Sequence, residues 1–236
     1  GLPVRRRAFR CLAALSAAAF LLAGSGFFAR AASDDASANN NQIAVLLLVD
    51  YARSYGYQVM MARLQLDADK AEVARDEVLL KQKEELYKKT RIPLIELEVA
   101  QLKDEWNRRQ VVVSENNLVF VSAQYEAMSL LAKHFGGGEA LPIRTLYETF
   151  RKGWDACCDK GPDEVAAMKA KRDFFERSVE RSRELLKEGN EALSSVAEKE
   201  TQLAKARADY QYRLDSLDRC RKLLFPTLED ILAIKP

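Results

Sequence analysis

Apolar residues recur every seven positions in three separate stretches of this chain. The first stretch carries Val45, Ala52, Val59, Leu66, Val73, Leu80 and Tyr87. The second carries Val99, Trp106, Val113, Phe120 and Ala127, and the third Val196, Leu203, Tyr210, Leu217 and Leu224. A seven-residue repeat with charged residues between its members predicts α-helices packed along a seam. A helix over Gln42–Lys88 would be on the order of 70 Å long. That exceeds a small globular domain, so the expected molecule is all-α and elongated.

Helix-breaking residues divide the stripes. Lys89-Thr90-Arg91-Ile92-Pro93 interrupts the first, and Pro93 fits the start of a new helix. Gly136-Gly137-Gly138 ends the second helix, which runs from about Leu94 to Phe135. Leu141–Ala156 is a shorter amphipathic segment punctuated by Pro142, Gly153, Cys157-Cys158 and Gly161-Pro162. Helix restarts near Asp163, breaks at Glu188-Gly189-Asn190, and stops at Pro226. The expected organisation is a leader over 1–31, a flexible tether over 32–41 and a first helical hairpin over 42–138. A connector over 139–162 and a second hairpin with its tail over 163–236 complete it. The fold class is therefore all-α, with two long antiparallel coiled-coil hairpins.

Charge separates the leader from the rest. The whole chain has 37 basic and 35 acidic residues, a net of +2. Residues 1–31 hold Arg5, Arg6, Arg7, Arg10 and Arg30 and no acid, so the remainder has 32 bases against 35 acids. That balance excludes a basic nucleic-acid surface. Arg5–Arg10, the apolar Leu12–Gly24 and Ala29-Arg30-Ala31 have the form of a cleavable export signal. The alternative is a retained membrane anchor, since Leu12–Ala29 is uncharged over a length just sufficient to span. Export to the periplasm is the expectation.

Little in the sequence suggests catalysis. There is one histidine, which argues against histidine-based metal or acid–base chemistry. The paired acids Asp34-Asp35, Glu84-Glu85 and Glu229-Asp230 fall on a tether, a solvated helix face and a tail. No cofactor, no metal and no enzyme activity are expected. Three cysteines lie beyond the leader. Either Cys157 or Cys158 is expected to pair with Cys220, leaving one thiol over.

The two breaks can be superimposed with a shift of 99 residues, which lays Lys88 on Lys187, Thr90 on Gly189, Leu94 on Leu193 and Leu97 on Val196. Each copy resembles the periplasmic tip of the outer-membrane factor (TolC-like) family. That pattern has a turn glycine, an apolar residue four later, an acid six later, an aliphatic seven later and alanine ten later. The first copy reads Thr90, Leu94, Glu96, Leu97 and Ala100. The second reads Gly189, Leu193, Ser195, Val196 and Lys199. The run Leu224–Leu232 also looks like the family's ending.

The resemblance implies a homo-oligomer that meets a periplasmic adaptor and an inner-membrane pump, with a place at the outer membrane and a role in efflux or secretion. It assigns partner docking to Thr90, Arg91, Pro93, Leu94, Glu96 and Leu97 on one tip, and to Gly189, Asn190, Leu193 and Val196 on the other. Family members are much longer and supply β-strands to an outer-membrane barrel. Here neither 136–162 nor 43–60 reads as strand, so a barrel-less relative is expected. The competing expectation is a periplasmic coiled-coil scaffold or chaperone with no transport role.

Overall fold

The computed structural model describes residues 34–234. The leader, its cleavage site and the first two residues of the expected tether lie outside the described residues. Among the described residues every regular element is helical. The order is α1 (Asp34–Lys88), α2 (Leu94–Gly137), α3 (Ile143–Trp154), a π-turn (Asp155–Asp159), α4 (Gly161–Lys187), α5 (Leu193–Lys222) and a short α6 (Leu228–Ala233). No helix among the described residues is long and apolar enough to cross a membrane.

Several boundaries differ from expectation. Residues 34–41 are helical rather than a tether. α4 starts at Gly161, two residues before Asp163, with Pro162 in the first turn where its missing N–H costs nothing. Gly153 and Cys157-Cys158 do not break the connector, because α3 and the π-turn carry it through as helix. Gly153 serves packing instead: a Cβ there would lie 3.1 Å from Gln124 Nε2. α5 ends at Lys222, so Leu224 is outside the helix and 91% exposed, not in a seam.

The chain divides into two compact units, of which the described parts are 34–59, 120–157 and 224–234 in the first, and 60–119 and 158–223 in the second. In the first unit, Leu48 and Tyr55 of α1 pack with Ala127, Met128 and Leu131 of α2 and Leu146 of α3. The tail is fixed by Phe225, whose ring lies 5.4 Å from that of Trp154 and 5.6 Å from that of Tyr147. Tyr147 Oη donates to the Pro226 carbonyl at 3.1 Å. Thr227 and Asp230 then form a reciprocal cap that starts α6.

In the second unit, α1 and α2 meet through polar side chains inside the seam. Asn107 donates to Asp76 at 2.7 Å, Lys103 lies 3.0 Å from Asp76, and Ser114 donates to Asp69. Lys83 reaches Glu96 at 2.8 Å and Arg108 reaches Glu77 at 2.6 Å. Partner numbers rise on one helix as they fall on the other. Trp106 of α2 stacks on Phe174 and packs beside Phe175 of α4, at 5.6 and 5.8 Å. α4 and α5 are tied by Lys171–Asp209 and Glu164–Arg213, and the Cys158–Cys220 disulfide ties the π-turn to α5, with Cys157 a free thiol.

On α1 the seven-residue stripe is not the most buried row. Val45, Ala52, Val59, Val73 and Leu80 are half-buried and Tyr87 is exposed; Leu66 is buried, and so are Leu48, Tyr55, Ala62, Asp69 and Asp76, three residues on. On α2 the stripe turns inward along the helix: Trp106 and Val113 are half-buried beside the buried row of Asn107 and Ser114, whereas Phe120 and Ala127 are as buried as Val121 and Met128. Polar side chains in that row hid it from the apolar pattern.

Asp76 is only 4% exposed. Burial by itself pushes its carboxyl up, but the hydrogen bonds from Lys103 and Arg75 together outweigh it and hold the group below the ordinary aspartate value. Removing the acid strands Asn107 and leaves Lys103 without its partner. Asp76→Ala is expected to cost about 2–4 kcal/mol by urea unfolding, and the double change Asp76→Leu with Asn107→Leu clearly less. Equal losses in the two variants would show that the carboxylate does not organise this seam.

Candidate functional site

The two turns of the second unit are built alike. At the end of α1, Arg91 N–H donates to the Leu86 carbonyl at 2.9 Å and Thr90 N–H to Tyr87 at 2.8 Å. At the end of α4, Asn190 N–H donates to Leu185 at 2.8 Å and Gly189 N–H to Leu186 at 3.0 Å. Each pair is the crossed arrangement that closes a helix through a residue of positive φ. That residue is Thr90 (φ 55) in one and Gly189 (φ 76) in the other. The next helix starts alike too, with Glu96 N–H on the Pro93 carbonyl and Ser195 N–H on Ala192, both 3.1 Å. Every one of these bonds maps onto its counterpart with the 99-residue shift read from the sequence.

Glycine reaches positive φ without penalty, and a β-branched threonine does not. Thr90 is therefore a strained residue at the crown of the first turn, with its hydroxyl turned onto the Lys89 carbonyl at 2.8 Å. Arg91 and Pro93 beside it are exposed, as is Asn190 beside Gly189. Leu94 and Leu193 occupy equivalent places at the first residue of the outgoing helix and are 50% and 70% exposed. Leu97 and Val196 differ from the expectation for a docking face, because both are buried. Position i+3 lies on nearly the same helix face, so the difference is axial: the leucines stand at the open end of the helix, and Leu97 and Val196 one turn further in.

Carboxylates brace both turns from within. Glu96 lies between Lys83 of α1 and Arg181 of α4, each at 2.8 Å. The Lys83 hydrogen bond, with help from Arg181, holds this carboxyl below the usual glutamate value against the opposing effect of burial. Arg177 of α4 also binds Glu98 of α2, so the two turns stand side by side in this unit. In the second turn the motif's acid is replaced by Ser195, and a different residue supplies the charge. Glu191 accepts from Ser182 and Ser195 and pairs with Lys199 at 2.7 Å. Lys199 contributes most, then Ser182 and Ser195, and together they pull the Glu191 carboxyl from 4.5 to about 2. Neither Glu191 nor Ser182 stands out in the sequence, and Lys199 enters the motif only in the place of its alanine. Glu191 stands opposite Ile92 in the repeat, so the alignment carried no sign of it.

Among the described residues no group of three or more His, Cys, Asp or Glu side chains could hold a metal ion. No protein-family model, curated protein or solved structure matches the chain.

Two outcomes follow from the turn chemistry. Thr90→Gly is expected to stabilise by about 0.5–1 kcal/mol and Gly189→Thr to destabilise by about 1–2 kcal/mol in chemical unfolding. A destabilising Thr90→Gly would refute the strain at that turn. The folded Glu191 value lies below its ordinary 4.5, so its stabilisation is complete above that pH and disappears as the pH falls towards about 2. The stability difference between wild type and Glu191→Gln, measured across this window, is expected to shrink with acid; a constant difference would contradict it.

Proposed function

We propose that the chain is an exported, periplasmic helical-hairpin protein that works by assembly and without chemistry, in the manner of TolC-type efflux and secretion factors. Its two helix pairs are antiparallel coiled-coil hairpins. Their turns are the docking tips, and the partner is the hairpin of a periplasmic adaptor that leads to an inner-membrane pump. Export rests on the basic and apolar leader with its small-residue cleavage motif.

The observation that carries the reading is the matched pair of turns. Two segments 99 residues apart close their helices with the same backbone bonds and present Leu94 and Leu193 at the same place. The closing bonds alone are common at helix ends; here the agreement extends to the start of the next helix and to the place of an exposed leucine. Internal ion pairs at Glu96 and Glu191 fix both crowns in shape, which lowers the ordering cost of docking.

A scaffold or chaperone of the same compartment, without a transport role, is the second reading. It draws on the long exposed apolar row of α1 between Met60 and Leu79, which lies away from the tips.

Substitutions at Leu94 and Leu193 touch no core, so folding is expected to change by no more than about 0.5 kcal/mol. Leu94→Asp, Leu193→Asp and Gly189→Asp are each expected to reduce cross-linking to the adaptor and substrate export at least tenfold in cells. If a gene deletion abolishes export while all three variants retain it, tip docking is wrong. If the deletion itself leaves export intact, the scaffold reading stands in its place.

A further inference from the structure

α1 carries a second heptad row on the side away from its seam. In the second unit the row is Met61, Leu64, Ala68, Ala71, Arg75 and Val78, with alternating steps of three and four, and every member is exposed. Met60, Ala74 and Leu79 flank it and are exposed as well. Spacing of this kind fits another α-helix laid along the row, since it keeps one stripe facing a partner over several turns. A helix that is apolar on two opposite sides is normally covered on both.

The row is also a palindrome in size. Large residues stand at its ends (Met61 and Val78) and small ones at its centre (Ala68 and Ala71). Laid antiparallel on itself, Met61 meets Val78, Leu64 meets Arg75 and Ala68 meets Ala71. The alanines let the two backbones approach closely at the middle. A parallel copy would set Arg75 against Arg75, burying like charges, whereas the antiparallel one lays the aliphatic stem of Arg75 over a leucine. In its own chain Arg75 is already neutralised by Glu72 and Asp76, at 3.4 and 3.0 Å. With its flanks, the row offers apolar area on the order of 600 Å² per copy, close to the ~800 Å² per partner of a standard interface.

We infer that this face of α1 binds the same face of a second copy, antiparallel, about a two-fold axis between Ala68 and Ala71. The contact is isologous and closes on itself. Because the crown at Thr90 lies some twenty residues beyond the axis, the two copies' tips would point in opposite directions, roughly 60 Å apart along α1. This goes beyond the tip reading and differs from the side-by-side packing that a TolC-like assembly implies.

The test uses the full chain, prepared as an equal mixture of ¹⁴N- and ¹⁵N-labelled copies with a benzophenone side chain at position 61. Mixed-isotope cross-links to residues 75–81 are expected. Links to 58–64 would mean a parallel pair, links to residues 1–31 would mean that the leader covers the row, and links confined to one isotope would mean no pairing here; each overturns the inference. In sedimentation, Ala68→Glu with Ala71→Glu is expected to weaken self-association at least tenfold at unchanged helicity and unchanged adaptor cross-linking. An unaltered dissociation constant would also overturn it. Adaptor binding is read separately, so the tip reading can fail while the pairing stands, or the reverse.

Discussion

The buried aspartates of α1 set the terms for the second unit. Asp69 and Asp76 occupy seam positions where an apolar side chain would be the easy choice. Their charge is tolerable there because Ser114, Asn107 and Lys103 of α2 stand opposite. A slip of one heptad would set Asp76 away from Asn107 and leave a buried carboxylate without its donor, at a cost of several kcal/mol. Apolar side chains would pack almost as well in neighbouring registers. The polar pairs therefore select one alignment of α1 on α2, a use of buried polarity familiar from coiled coils.

Fixing that register fixes the turn. Once Asp76 is on Asn107, the chain between Lys88 and Leu94 must reverse within five residues, and the crown residue must adopt positive φ. Glycine would do so freely, and Gly189 does at the second turn. Thr90 accepts strain at the first, offset by the Lys83–Glu96 and Arg181–Glu96 pairs immediately behind it. The second turn has no such crossing to α1 and is braced locally instead, by Glu191 on Ser182, Ser195 and Lys199. One backbone design thus has two different sets of supports.

Much of this was legible in the residues. The seven-residue period, the breaks at Thr90, Gly138 and Gly189, and the correspondence of Leu94 with Leu193 all depend on local backbone chemistry, which sequence expresses directly. What escaped was decided by partners distant in the chain. The innermost row of α1 could not be found by an apolar pattern because Asp69 and Asp76 belong to it. Glu191 acquires its importance only from Lys199 and Ser182 around it. Leu97 and Val196 look like members of a tip by position, yet one turn along the helix is enough to bring them into the core. The connector misled for a related reason: Gly153 is a helix breaker in isolation, but here it sits inside a helix where a Cβ would crowd the Gln124 amide at 3.1 Å.

The same period that made α1 readable also concealed which side of it faces inward. Two heptad rows run along this helix, one through Leu66, Asp69, Val73 and Asp76 and one through Leu64, Ala71 and Val78. Apolarity alone would favour the second, which contains one charge over 61–78, as the core. The chain instead encloses the row that carries acids, because only that row finds matching donors on α2. An enclosed polar row specifies its partner and tolerates no other, whereas an apolar row is attractive but undiscriminating. Leaving the undiscriminating face outward makes sense where size symmetry and a single well-placed arginine can restore the selectivity that apolar contact lacks.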